Sequence, residues 1–170
     1  MSETIRFVEK YADSPQFKKL FEEGMNLVEE TANYLDGDGR SDSRALARLA
    51  SLNYATESMR LTTRLMQIAS WLLLQRAVNE GELTFDEARS EKHKVRLRQH
   101  APANTESEDF AEMPDRLKDL VHRSFTLNER VLNVDRMIRT GTHPEVETGI
   151  NKVQGEINRI AEAFNTSQSS

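Results

Sequence analysis

The sequence predicts an all-α protein: an antiparallel helical bundle of three main helices around one long central helix, plus short accessory helices. Apolar residues recur at steps of three and four in several long segments, which is typical of amphipathic helices. Only 7 Gly and 4 Pro interrupt the 170 residues. A short apolar–polar alternation around residues 94–98 is the one strand-like pattern. The length suits one compact domain.

The first main helix begins at Ser14-Pro15, with Ser as N-cap and Pro at the first helical position. It is expected to end at residues 36–39, where two glycines allow a left-handed turn. Its predicted buried face consists of Phe17, Leu20, Gly24, Leu27, Val28, Thr31, Tyr34 and Leu35.

The central helix is expected to begin at Ser41 or Asp42 and to continue until Gly81, since neither Pro nor Gly interrupts that stretch. Roughly 38 helical residues would measure about 55 Å. Apolar residues become dense between Leu65 and Leu74, around Trp71. Amphipathicity nearly disappears there, which predicts burial on most sides.

A capping box at residues 84–87, Thr-Phe-Asp-Glu, predicts a short helix that becomes basic from Lys92 onward. Residues 100–113 are polar and acidic and predict a loop, and Pro114 opens the third main helix. That helix has an unbroken apolar seam: Leu117, Leu120, Ser124, Leu127, Val131, Val134 and Ile138. We assign residues 1–141 to the bundle domain and residues 142–170 to an amphipathic C-terminal tail, a marginal helix.

Composition excludes several functional classes. The net charge of −5 argues against nucleic acid and anionic membranes as partners, since both attract basic surfaces. The absence of Cys excludes thiol chemistry and thiolate metal sites. No secretory signal is apparent, and no apolar run reaches the roughly 18 residues of a membrane span. The expected location is the cytoplasm.

Three local patterns could suggest chemistry, and each has a simpler interpretation. Residues 36–42 resemble a calcium loop, but Arg40 and Ser41 occupy positions that need a ligand and a glycine. His122 could belong to a phosphotransfer domain, or with Asp119 to a metal site, but the flanking residues and a second ligand pair are missing. The basic run over residues 89–98 lacks stacking aromatics and favours a solvated or protein-docking face. We therefore predict no catalytic residue, cofactor or metal.

A longer motif is more specific. Residues 59–84, Met-Arg-Leu-Thr-Thr-Arg-Leu-Met-Gln-Ile-Ala-Ser-Trp-Leu-Leu-Leu-Gln-Arg-Ala-Val-Asn-Glu-Gly-Glu-Leu-Thr, closely resemble the signature of the alphaproteobacterial RcdA family, regulators of CtrA degradation. The resemblance extends more weakly from about residue 17 to residue 97. It implies a small helical bundle, often dimeric and without enzymatic activity, that serves as an adaptor for the ClpXP protease. Such adaptors join a protease primed by a response-regulator-like partner and hand over substrates, directly or through a further adaptor.

The candidate partner-binding residues come from three places. The motif contributes polar residues, the basic run contributes cations, and the tail contributes one apolar residue: Arg60, Arg64, Gln75, Arg76, Lys94, Arg96 and Ile157. The expected partners are ClpXP with its priming partner, protein substrates or secondary adaptors, and a second copy of the chain. The alternative is a general helical interaction or structural module with no proteolytic role.

Overall fold

The computed structural model describes residues 14–95 and 107–140, which form six helices. They are α1 (Pro15–Asp36), α2 (Asp38–Ala45), α3 (Arg48–Asn79), α4 (Phe85–Val95), α5 (Glu108–Ala111) and α6 (Asp115–Thr140). The all-α prediction is confirmed, with α1, α3 and α6 as the three main helices. The predicted C-terminal tail, residues 142–170, lies outside the described residues.

Helix α1 begins and ends where the sequence predicts, but without the expected left-handed turn. The Ser14 hydroxyl accepts a hydrogen bond from the Phe17 amide at 3.3 Å, and Pro15 is the first helical residue. Gly37 has φ −113°, so the expected left-handed turn is absent there. Gly39 lies inside α2, with its backbone against Tyr34 and Tyr54. The second glycine therefore permits a close approach between segments and does not terminate a helix.

The predicted continuous helix from residue 41 to residue 81 is two helices. Leu46 and Ala47 are extended, with ψ near 150° and 157°, and separate α2 from the 32-residue α3, which is about 48 Å long. Tertiary contacts account for the break. The Tyr34 hydroxyl donates to Asp42 Oδ2 at 2.8 Å, and Leu46 packs against the core, so the chain turns across the end of the bundle.

Contacts between side chains define the directions of the main helices. Phe21 and Tyr34 of α1 lie beside Arg76 and Tyr54 of α3, so these two helices are antiparallel. Hydrogen bonds join residues 64 and 71 of α3 to residues 124 and 135 of α6, in the same order along both helices. Helices α3 and α6 are therefore parallel to each other.

Trp71 is fully buried at the C-terminal end of α3, as the sequence predicts. Its indole N–H donates to Asp135 Oδ1 of α6 at 2.9 Å, and the Lys92 ammonium of α4 lies 4.6 Å from the ring centroid. The same chain therefore covers this end of α3. The prediction that residues 65–74 are buried on most sides is wrong, however, because Met66 is 64% and Leu73 52% exposed.

The segments that follow α3 agree with the predicted helix signals, with one addition. The capping box forms: the Thr84 amide donates to Glu87 at 2.9 Å, and the Glu87 amide donates to the Thr84 hydroxyl at 3.2 Å. Helix α5 lies within the stretch predicted as loop, because Ser107 caps it and Phe110 is buried. Every predicted seam residue of α6 is buried.

A ladder of ion pairs joins α1 and the start of α2 to α6. Arginines at seven-residue spacing on α6, residues 116, 123 and 130, contact Asp38, Glu30 and Glu23. The Arg123 guanidinium is bidentate, with distances of 2.9 and 2.7 Å to the two Glu30 oxygens. Each exposed pair contributes little to stability, but together they favour one antiparallel register of α1 against α6.

Candidate protein-interaction surface

Helix α3 carries a second apolar stripe on its solvent-exposed side. Its large side chains are 52–71% exposed, and small hydroxyl residues fill the intervening positions. We call this stripe the α3 seam and define it as Leu49, Leu52, Thr56, Met59, Thr63, Met66, Ser70 and Leu73.

The spacing along the α3 seam alternates strictly between three and four residues. A stripe with this seven-residue repeat is the pattern by which two helices pack knobs into holes. Monomeric proteins rarely expose an extended apolar patch, and such patches often mark interaction sites. The seam is thus suited to receive another helix.

Two of the three hydroxyl groups on the seam do not oppose its burial. The Thr56 hydroxyl donates to the Leu52 carbonyl at 3.1 Å, and the Ser70 hydroxyl donates to the Met66 carbonyl at 2.8 Å. Because these hydroxyls already have partners within the helix, a docked helix would not leave their donors unsatisfied. The predicted partner-binding residues do not include the seam, although its apolar heptad repeat at residues 52, 59, 66 and 73 is visible in the sequence.

Three of the predicted partner-binding residues, Arg60, Arg76 and Lys94, are exposed. Each makes an ion pair on its own helix, with Glu57 at 2.8 Å, Glu80 at 2.9 Å and Glu91 at 2.7 Å respectively. Arg60 follows Met59 on α3 and so borders the seam. These side chains are accessible to a partner, and their role in binding stays a prediction.

Arg64 is buried between α3 and α6. Its guanidinium donates to the Ser124 hydroxyl at 2.7 Å and lies 3.7 Å from the centroid of the Phe125 ring. Burial lowers the pKa of Arg64 to about 10, since a charged group is disfavoured away from water. The structure thus gives Arg64 an internal packing role and does not place it at the surface, where direct partner contact requires it.

Gln75 is likewise buried. Its amide nitrogen donates to Asn79 at 3.0 Å, and its carbonyl accepts from the Lys92 ammonium at 2.6 Å, which links α3 to α4. The predicted surface role does not fit this position either. The remaining two candidates, Arg96 and Ile157, lie outside the described residues.

The other candidate chemical sites have structural roles. Asp36 and Asp38 of the calcium-like stretch lie at a helix junction and pair with Arg40 and Arg116. His122 is exposed, with its ring edge-on to Phe110 at 5.8 Å. Across residues 14–95 and 107–140, no group of three or more His, Asp or Glu side chains could hold a metal ion. No helix in those ranges is long and apolar enough to cross a membrane.

The fold is an all-α bundle with an exposed apolar seam, and comparison with known proteins identifies its family. A model of the family described as "Protein of unknown function (DUF1465)" matches residues 8–164, so the chain belongs to that family. The chain is similar to the solved structure of RcdA from Caulobacter crescentus CB15, with 53% identity and a TM-score of 0.63. The match covers 76% of this chain and 96% of that one. No curated protein matches. The predicted membership of the RcdA family is confirmed.

Proposed function

We propose that the protein is a non-enzymatic, cytoplasmic adaptor in regulated proteolysis. It tethers cell-cycle regulators or further adaptors to the ClpXP protease, together with a response-regulator-like priming partner. The observation that carries this proposal is the 53% identity to RcdA over nearly all of that chain. The exposed α3 seam adds physical support, because an adaptor needs an accessible docking surface on a rigid scaffold.

The mechanism needs no bond to be made or broken by this chain. Holding protease and substrate on one scaffold makes their encounter intramolecular, and short tethers give effective concentrations in the millimolar range. A rigid helix about 48 Å long can separate two docked partners while the α1–α6 ion-pair ladder maintains the bundle.

We further propose that two copies of the chain associate through the α3 seam. A two-fold dimer buries the same patch on both copies, and a heptad stripe on one long helix is self-complementary in that way. The small side chains at Thr56, Thr63 and Ser70 would let the two backbones approach closely.

A degradation assay tests the adaptor proposal. Purified ClpXP, a receiver-domain partner and a labelled cell-cycle regulator such as CtrA are combined with and without the full chain, and the loss of substrate is followed over time. We expect the chain to raise the initial rate by about tenfold at limiting substrate, as tethering predicts. An unchanged rate, together with pull-down of other partners only, would favour a general interaction module without a proteolytic role.

Sedimentation equilibrium tests the dimer. Met66→Glu places a carboxylate in the α3 seam, and Asn133→Glu adds the same charge at an exposed position on α6. We expect the wild type and Asn133→Glu to have twice the mass of the monomer, and Met66→Glu to be monomeric. A dimer that persists in Met66→Glu would exclude the seam as its interface.

A further inference from the structure

A cavity of about 950 Å³ opens at the C-terminal end of the bundle, between α4 and α6 and beside the end of α3. Its wall combines apolar and cationic side chains. Helix α4 contributes Phe85, Arg89 and Lys92, and α6 contributes Ile138 and Arg139. On α4, positions 85, 89 and 92 share one helix face because they are spaced by four and three residues.

Two cations in this wall have no carboxylate partner among residues 14–95 and 107–140. The Lys92 ammonium donates to the neutral Gln75 carbonyl at 2.6 Å and lies 4.6 Å from the Trp71 ring centroid. Arg89 is exposed and makes no ion pair within those residues. In the same wall, Arg139 is neutralised by Asp135 at 2.7 Å, and Lys94 by Glu91 at 2.7 Å.

An uncompensated pair of cations is unusual on a chain of net charge −5. The Trp71 indole and Arg139 both occupy the Asp135 carboxylate, so it is not free to neutralise Lys92 fully. The Asp86 carboxylate of α4 also lines the cavity, so the described wall carries four cations, Arg89, Lys92, Lys94 and Arg139, against two carboxylates, Asp86 and Asp135. A concave wall with this excess of positive charge concentrates anionic ligands. Phe85 is 37% exposed and supplies most of the apolar surface close to these charges, and Ile138 lines the same cavity although it is only 2% exposed.

We infer that this cavity binds an acidic peptide segment of a partner protein, in which a carboxylate stands next to an aliphatic or aromatic side chain. The carboxylate would accept hydrogen bonds from Arg89 and Lys92, and the apolar side chain would pack on Phe85 and Ile138. The inference rests on the proposed adaptor function, since it gives the protein a second docking site distinct from the α3 seam.

The observations favour a peptide over a nucleic acid. Trp71 is fully buried under Lys92, so the exposed rings of the described cavity wall are Phe85 and the imidazole of His93, which stand eight residues apart on α4, about 12 Å along the helix axis. Binding of single-stranded nucleic acid uses successive exposed aromatic rings on which bases stack. To bind a carboxylate and one apolar side chain, the cavity needs only the two cations that have no carboxylate partner and the small apolar patch beside them.

The test measures peptide binding to the full chain in the absence of protease. A negative result would therefore count against this cavity alone, whereas the degradation assay tests the adaptor proposal separately. The probe is a short, amidated peptide of alternating Glu and Leu that lacks aromatic residues. Trp71 is the only tryptophan of the chain, so its emission reports on this cavity. A fluorescein-labelled copy of the peptide gives the affinity by anisotropy, and a Gln-for-Glu peptide is the control ligand.

We expect saturable binding of the acidic peptide with a change in Trp71 emission. Arg89→Glu should weaken it at least tenfold, as loss of a charge-assisted contact predicts, whereas Arg48→Glu, the same charge change at the exposed start of α3, should alter it less than about twofold. Lys92→Met keeps an unbranched side chain over Trp71 and should also weaken binding about tenfold. Circular dichroism establishes that each variant is folded.

Four results would overturn the inference. They are the absence of saturable binding, equal affinity for the Gln peptide, equal effects of Arg89→Glu and Arg48→Glu, and tighter binding of inorganic phosphate or a single-stranded oligonucleotide than of the peptide.

Discussion

Trp71 should be the most sensitive apolar position of the bundle. It is fully buried, and its indole N–H donates to Asp135 at 2.9 Å. Truncating a buried aromatic side chain costs about 3–5 kcal/mol through lost burial and the cavity left behind. We expect Trp71→Ala to fall at the upper end of that range, because a hydrogen bond to a carboxylate is lost as well. Arg139 still pairs with Asp135 in the variant, which limits the additional cost.

Urea unfolding followed by far-ultraviolet circular dichroism measures this loss. Wild type and variant are compared at one protomer concentration, because association would otherwise change the apparent stability. A loss below about 1 kcal/mol, the range typical of exposed sites, would refute the packing described for the C-terminal end of α3.

A double-mutant cycle separates the hydrogen bond from the burial of the ring. Trp71→Phe removes the indole N–H, and Asp135→Ala removes the acceptor. A hydrogen bond to a charged group predicts a coupling energy of about 1.5–3 kcal/mol between them. Trp71→Phe combined with Asn133→Ala, at an exposed position on α6, is the control cycle and should show no coupling. Equal coupling in the two cycles would show that Asp135 is not the specific partner of Trp71.

Three further predictions concern other contacts of the bundle. Gly39→Ala should destabilise the protein by about 1–3 kcal/mol in thermal unfolding, because the new Cβ would lie 2.5 Å from the Tyr54 hydroxyl and 2.7 Å from a backbone carbonyl. Ser41→Ala, at an exposed position of the same helix, is the control. Equal stability of the two variants would contradict the close approach of Tyr34 and Tyr54 to Gly39. The hydrogen bond from Arg123 lowers the pKa of Glu30, so Arg123→Ala should lower the free energy of unfolding by about 0.5–1 kcal/mol at neutral pH. This loss of stability should disappear as the pH falls through the pKa of Glu30, because the protonated carboxyl no longer forms the ion pair. A loss of stability that is unchanged at about pH 3 would exclude this ion pair as its cause. Burial lowers the pKa of Lys92 to about 8, with Asp135 opposing and Arg139 reinforcing the shift. Above pH 8 the Lys92 amine is therefore protonated more often in the unfolded chain than in the folded protein. The free energy of unfolding of the wild type, relative to that of Lys92→Met, should rise by about 1–2 kcal/mol between pH 7 and 9.5 in urea titrations. A difference between the two proteins that does not change with pH would refute the burial of this ammonium.

Local signals predicted the starts of α1, α4 and α6 well, because each depends on a few neighbouring residues. Ser14-Pro15 and the Thr84–Glu87 capping box form the hydrogen bonds that their residue types favour. The buried face of α6 was also predictable, since one apolar stripe on an otherwise polar helix has a single interpretation.

Features that depend on distant contacts were not predictable in the same way. The break at Leu46 contains neither Gly nor Pro, and it follows from contacts of α2 with Tyr34 and with the core. The parallel arrangement of α3 and α6 likewise depends on contacts between distant residues, such as Arg64 with Ser124, which residue periodicity does not describe.

The partner-binding residues were hardest to predict because α3 has two apolar faces. One faces the core through Leu61, Ile68 and Trp71, and the other is the exposed α3 seam. Two apolar stripes on opposite sides of one helix cancel each other's contribution to its amphipathicity, so the sequence predicts that the helix is buried on most sides. Polar motif residues such as Arg64 are then predicted to form its surface, although Arg64 is buried on the core-facing side of α3, where it donates to Ser124 of α6. The same cancellation hides the α3 seam from a prediction based on amphipathicity. Because the seam is exposed and apolar, it is a better candidate for binding a partner helix than the charged residues of the motif are.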